Sequence, residues 1–294
     1  MKRTMDVDFN ANGNEQVWFE SYSMDQYSAH LDRGWELVAR GDFSGARASV
    51  ESIHRLEENS PDGHTLNGAV CLGEGDYEAA LEALNKALEH DPDHIDAMVY
   101  LAEVLSQDQD SREEALGYVE KVRDLLIDDL PVETAVLEAE ILWNLDNREE
   151  SLKIAGAIEK NSDISAVAAF RLGRLYFEAG FDGEAKTWLE WSLTEGEFSD
   201  AYHYLGILEE NSGRTDLSLG HFLRVRELDL QAPVPPWSFS SDLFEIQIES
   251  ALESLGIETK QKMSIVAVDY PSPEIILEGA DPRIPVYLST RGGD

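Results

Sequence analysis

Seven histidines, one cysteine and a surplus of carboxylates are the residues of this 294-residue chain whose types could do chemistry. His30, His54, His64, His90, His94, His203 and His221 are scattered, and His90 and His94, with Asp91 and Asp93 between them, are the pair that could be drawn as a metal site. Two imidazoles on one helix share a metal when they sit one turn apart on one face. Pro92 interrupts the helix between these two, so they read as a solvated turn. The sequence holds no His-Glu-x-x-His, no Gly-x-Ser-x-Gly elbow and no Gly-x-x-x-x-Gly-Lys phosphate loop. Cys71 stands alone, which excludes an intramolecular disulfide and any multi-cysteine zinc or redox centre, and its position reads as a buried thiol. The acid pairs Glu113-Glu114 and Glu149-Glu150 open helices, where carboxylates meet the positive end of the dipole, so they read as caps. The expectation is a chain with no catalytic residue, no cofactor and no metal.

The elements that hold these residues follow from composition and period. With 23 Lys+Arg against 59 Asp+Glu the formal charge is −36, and 43% of the residues are apolar, enough to build a core. Phosphate backbones and anionic lipid surfaces attract clustered Lys and Arg, which are absent here, so neither nucleic acid nor membrane is an expected partner. No apolar stretch approaches the roughly 18 residues of a membrane span, and the first residues lack a signal-peptide core, so the expected location is cytoplasmic. Acidity of this size serves solubility or a salty cytoplasm, and composition does not choose between them.

A repeat organises most of the chain. Gly41-Asp42-Phe43 with Ala46 recurs as Gly75-Asp76-Tyr77 with Ala80, and the same small-residue slot is then filled by Ala115, Ser151, Ala185 and Ser218. The successive spacings are 34, 35, 36, 34 and 33, a period that belongs to paired-helix solenoids. Within the second unit Gly68, Cys71 and Leu72 precede the turn, while Ala80, Leu84, Ala87 and Leu88 follow it on one helical stripe closed by Pro92. The small residues mark close helix crossings, and the large ones fill the gap to the neighbouring pair.

These residues resemble the tetratricopeptide family. The second unit matches through Gly68, Gly75, Tyr77, Ala80, Ala87 and Pro92, the fifth through Leu172, Gly173, Tyr176, Gly180 and Ala185, and the sixth through Tyr202, Leu205, Gly206, Gly213 and Phe222. Unit three carries an insertion at Gln107-Asp108-Gln109-Asp110-Ser111, and unit four has Leu145-Asp146-Asn147 where glycine is expected. The resemblance implies an all-α solenoid of about six helix pairs over residues 28–232, wound as a right-handed superhelix. It follows an N-terminal segment, residues 1–27, expected to be extended or disordered.

Such solenoids bind extended peptides or helices along the face made by the first helix of each pair, so the resemblance implies a protein or peptide partner and a scaffold role. Register puts Leu31, Trp35 and Val38 on that face in unit one, and Val136, Glu140 and Trp143 in unit four. Units five and six add Val167, Phe170, Arg174 and Phe177, then His203 and Ile207. The candidate groove is therefore Trp35, Val136, Glu140, Trp143, Phe170, Arg174, Phe177 and His203. Leu31 and Trp35 stand where a chaperone-tail clamp would place Lys and Asn, so that subclass is not expected. The chain itself is the competing occupant of this face, through Trp18, Phe19 and Tyr22 or a C-terminal element. Trp188 and Trp191, side by side on the second helix of unit five, read as packing residues rather than a second contact surface. The oligomeric state is left open.

Pro233, Pro235 and Pro236 break the periodicity and open a small α/β segment, residues 233–294. Its expected parts are a helix over 241–255, strands over 263–268 and 286–288, and a short helix opened by Ser272-Pro273-Glu274 and ending at Gly279. This order resembles the first half of small bacterial zincin-like metallopeptidases without their zinc motif, which implies, as the alternative, a truncated or degenerate relative with a substrate-docking solenoid.

Overall fold

The computed structural model describes residues 14–127, 130–159, 164–194, 196–232 and 270–284 and positions 246, 247, 250 and 253, with side chains from Asp25 onward. The described backbone is helical, without strands. The expected strands over 263–268 and 286–288, and the side chains of Trp18, Phe19 and Tyr22, lie outside the described residues. The chain divides into two compact units, Met1–Glu159 and Lys160–Asp294.

In the first unit α1 (Asn14–Ala39) and α2 (Phe43–Leu56), α3 (Pro61–Gly73) and α4 (Tyr77–His90), α5 (Ile95–Ser106) and α6 (Arg112–Leu125), and α7 (Val132–Asn144) and α8 (Arg148–Ala157) form antiparallel pairs. Helix starts at Asn14, inside the stretch expected to be extended or disordered up to residue 27. The insertion in unit three is absorbed by a 3₁₀ turn, Gln109–Ser111, before α6. α2, α4 and α6 each touch their own first helix and the next one, and first helix touches first helix along α1, α3, α5 and α7. The first helices therefore crowd one side, as the repeat register requires.

Short polar residues start these helices. Asp42 and Asp76 accept from the amides of Gly45 and Ala79, and Ser60 from Gly63, each three residues on. The unit core comes as successive small clusters, among them Val50, Ile53 and Leu66, then Cys71, Ala80, Leu84, Leu101 and Val104, then Ala102, Ala115, Val119, Leu137 and Ile141. Each cluster joins residues of adjacent pairs, so one repeat buries its apolar face only against its neighbour.

The second unit holds α9 (Ala166–Glu178) with α10 (Asp182–Ser192), α11 (Ser199–Asn211) with α12 (Thr215–Gln231), and a short α13 (Pro273–Leu277) packed on α12. Close crossings explain its glycines. A Cβ on Gly173 would lie 2.7 Å from Leu189 Cγ and 3.0 Å from the Leu189 backbone nitrogen, and one on Gly206 would lie 2.4 Å from the Phe222 ring. Glu209 on α11 is 1% exposed and is neutralised by Lys186 Nζ at 2.7 Å and by Arg214. Hydrogen bonding from Arg214 holds its carboxyl below the usual range. Of the two tryptophans expected to pack, Trp188 is buried and Trp191 stays half-exposed. Ser272 stands at the N-cap position of α13 without the side-chain cap bond expected of it, and the helix ends before Gly279, where it was expected to end, at φ +101°.

Candidate interaction surface

In the first unit the first-helix residues fall into two groups. Trp35 on α1 stacks on Tyr100 of α5, ring centroids 5.5 Å apart and 18° from parallel, reaching past α3 between them. Burial pushes the Tyr100 phenol up to about 12, so this ring is a neutral packing partner at ordinary pH. Val136 is 1% exposed and Glu140 8%, and α7, which touches α5, α6 and α8, buries most of its circumference. These two positions, expected on the groove, lie in the interior because the helix is enclosed on more sides than its period alone requires. Trp143 stays half-exposed at the end of α7 with the Arg148 guanidinium 4.9 Å from its ring centroid.

The second unit gathers aromatic rings. Phe170 and Phe177 on α9 meet Tyr204 on α11 with centroids 6.1 and 4.9 Å apart, and Phe170 stacks on Phe198 at 6.3 Å. All four rings are half-exposed. Val167, one turn before Phe170, is 53% exposed, and Arg174 lies beside Glu178 at 3.9 Å. Sequence register found Phe170, Phe177 and Arg174; it missed Phe198 and Tyr204, which belong to the next loop and helix and join only through packing.

His203 is engaged by the chain. Its Nε2 lies 2.9 and 3.0 Å from the two carboxylate oxygens of Asp281. Two residues on, Arg283 donates to Asp200 Oδ1 at 2.5 Å, Ser199 Oγ at 2.8 Å and both Asp229 oxygens at 3.1 Å. Arg226 Nε donates to the Pro271 carbonyl at 2.7 Å, and the Tyr270 hydroxyl to the Asp229 carbonyl at 3.3 Å. Ile276 and Pro282 are buried within this contact. Burial would raise the Asp229 carboxyl, but hydrogen bonds from Arg283 and Ser199 outweigh it and hold the group below its ordinary value. A C-terminal element thus engages His203 of the candidate groove together with α12, and among the described residues its hydrogen bonds go to none of the groove aromatics.

The histidines separate by role. His94 caps α5: Nδ1 accepts from the Ala97 amide at 3.2 Å, which leaves the ring proton on Nε2 to donate to Asp62 at 3.0 Å. Asp62 also accepts from Tyr27 at 2.9 Å, so one carboxylate ties α1, α3 and α5 together. His90 instead stacks on His64, centroids 5.9 Å apart, and His64 meets His54 at 4.7 Å. These three rings come from α4, α3 and α2 and line an open cleft of about 720 Å³ with Arg47, Cys71 and Lys86 among its walls. His54 Nε2 is buried with no hydrogen-bond partner. Burial lowers both His54 and His64, and the neighbouring imidazoles lower His64 further. No linear motif announces this trio. Cys71 is buried, and burial pushes its thiol up, away from nucleophilic character. Among the described residues no group of three His, Cys, Asp or Glu is arranged to hold a metal ion, and no helix is long and apolar enough to cross a membrane.

Comparison with known proteins agrees with this architecture. Residues 72–124 match the family model described as Tetratricopeptide repeat. Cellulose synthase operon protein C of Xanthomonas axonopodis pv. citri (strain 306) is 27% identical over 211 residues, which is 67% of this chain and 13% of that protein; the chain therefore spans a small part of this curated relative. The crystal structure of PilW, a widely conserved type IV pilus biogenesis factor, superposes with a TM-score of 0.53 at 14% identity, covering 75% of this chain and 98% of the other. PilF of Pseudomonas aeruginosa superposes with a TM-score of 0.49 at 15% identity, covering 77% of this chain and 99% of the other. The fold is the tetratricopeptide helix-pair solenoid.

Proposed function

We propose that this chain is a non-catalytic interaction module, a scaffold whose first-helix faces bind a peptide or helix of a protein partner. The observation that carries this reading is the aromatic group Phe170, Phe177, Phe198 and Tyr204, whose rings touch one another while remaining half-exposed. An aromatic side chain buries about 150–250 Å² in all, so covering the third or less that such a ring still exposes is worth on the order of 1–2 kcal/mol per ring at about 25 cal/mol per Å² before ordering costs. Apolar surface of this kind, grouped on neighbouring helices, is the usual mark of a helix-in-groove or extended-peptide site. Trp143 supplies a separate half-exposed anchor in the first unit. The tetratricopeptide match and fold support the scaffold role, since such repeats generally mediate protein–protein contact.

The test is a pull-down with the full chain, comparing wild type with Phe170→Ala and Trp143→Ala after circular dichroism has shown that each variant keeps its helix content. The expected outcome is loss of partner recovery with Phe170→Ala and reduction with Trp143→Ala. Recovery identical to wild type for both variants counts against the first-helix faces as the binding surface.

A further inference from the structure

Ser199, Asp200 and His203 lie within about one turn of one another on α11, and Asp229 approaches from α12. Together they offer one imidazole and two carboxylates to a segment whose matching groups are Asp281 and Arg283. Hydrogen bonding is complementary at each contact: carboxylate meets imidazole, and guanidinium meets two acids and a hydroxyl. Between them Pro282 is buried, and its fixed φ sets the acid and the guanidinium in one spacing. Arg283 also donates its own amide to Asp281 Oδ1 at 2.8 Å, so the tripeptide is internally braced where it meets the helices. Upstream, Ile276 is fully buried and Pro271 is held through its carbonyl by Arg226. A side-chain-specific tripeptide with apolar and main-chain anchors is the anatomy of peptide recognition. Here the ligand is a stretch of the same chain, separated from α12 by residues 233–269.

We propose that the α11–α12 face is a recognition cradle for an Asp-x-Arg peptide, filled in cis by Asp281 and Arg283, and that a partner carrying the same acid-to-arginine spacing binds by displacing this segment. The inference rests on the scaffold reading above and adds the chemistry of the partner and the means by which its site is kept closed. Occupancy in cis requires that the effective concentration set by the covalent connection exceed the Kd of the free sequence for the cradle. Competition by the cis segment also weakens any added peptide by the fraction of cradle left open.

The experiment uses the full chain, isotopically labelled, and a synthetic peptide of residues 270–284. Amide shifts of Ser199–His203 and of the last turn of α12 are followed as the peptide is added to about mM concentration. Two chains are compared, wild type and the double variant Asp281→Asn, Arg283→Gln, which empties the cradle in cis. The expected result is saturable shifts at α11 in the double variant, with an apparent Kd at least about tenfold below that of wild type. A peptide carrying the same two substitutions, or wild-type peptide added to the double variant combined with His203→Ala, gives no such shifts. Absence of shifts in the double variant overturns the proposal, as does equal affinity for the two chains or equal binding of the substituted peptide. These outcomes are separable from the pull-down, which reads Phe170 and Trp143. A failed titration beside a successful pull-down removes the cradle and keeps the aromatic surface; the reverse keeps the cradle and removes the aromatic surface.

Discussion

His64 lies between two other imidazoles, 4.7 Å from His54 and 5.9 Å from His90, in a cleft whose other walls carry both signs of charge. Burial and the flanking rings both disfavour its protonated form, and burial does the same for His54. The folded chain therefore binds fewer protons here than the unfolded chain just below the ordinary imidazole value of 6.5. The stability contributed by these neutral rings is fully present above that value and is lost as the pH falls through it toward the lowered folded value. The check is proton NMR of the ring resonances: His54 and His64 are expected to titrate below 6.5, and His64 to move upward when His54→Asn removes one neighbour. At the same scale, Asp146 shows what a missing glycine means. It adopts φ +62°, about ten degrees short of the turn glycines Gly41, Gly75, Gly180 and Gly213 at φ +72 to +79° and in the same left-handed region, so the fourth unit keeps the turn with a residue that tolerates left-handed backbone.

Helices in this fold are specified by what lies between them. Gly173 was legible as a close-crossing residue because leucine precedes it and tyrosine follows three positions on, and the structure supplies the reason: Leu189 sits where a side chain would begin. Because one of the crowding atoms is the Leu189 backbone nitrogen, no rotamer change relieves the clash, and Gly173→Val is expected to cost about 1–3 kcal/mol. Gly117, within α6, is the opposite case. A Cβ there meets nothing within 4 Å, so Gly117→Ala is expected to add about 0.5–1 kcal/mol by restricting the unfolded chain. Denaturant midpoints of the two variants, moving in opposite directions, check the pair. Val136 and Glu140 were placed on the groove by register and found inside, since a period reports which residues share a face and not how many neighbours enclose that face.

For the molecule as a whole, two observations bear on function: in the first unit the apolar faces of the repeats are covered repeat by repeat, and in the second the last pair is met by Tyr270–Ile284. With the Asp229 carboxyl held below its ordinary value of 3.8 by Arg283 and Ser199, the docking free energy from this contact is present above that value and lost as the pH falls through the lowered one. Acid titration followed at the α11 and α12 amides is therefore expected to show release of the segment only below the ordinary value of 3.8, with the transition weakened in Arg283→Gln. The net charge of −36 adds that basic or neutral partners approach these surfaces faster than acidic ones, an effect that salt diminishes.

Period, turn residues and caps were enough to find the helix pairs, their boundaries near Gly41, Gly75, Gly180 and Gly213, the start of α13 at Pro273 and the buried state of Cys71, because each depends on contacts within a few residues or one repeat. The meeting of His54 with His64 and His90, the closure of Tyr204 on Phe177, and the seating of Asp281 and Arg283 on α11 had no linear signature. They join residues across different helices, up to 84 positions apart, and such distances are set by how helices pack and how the chain returns rather than by any local pattern.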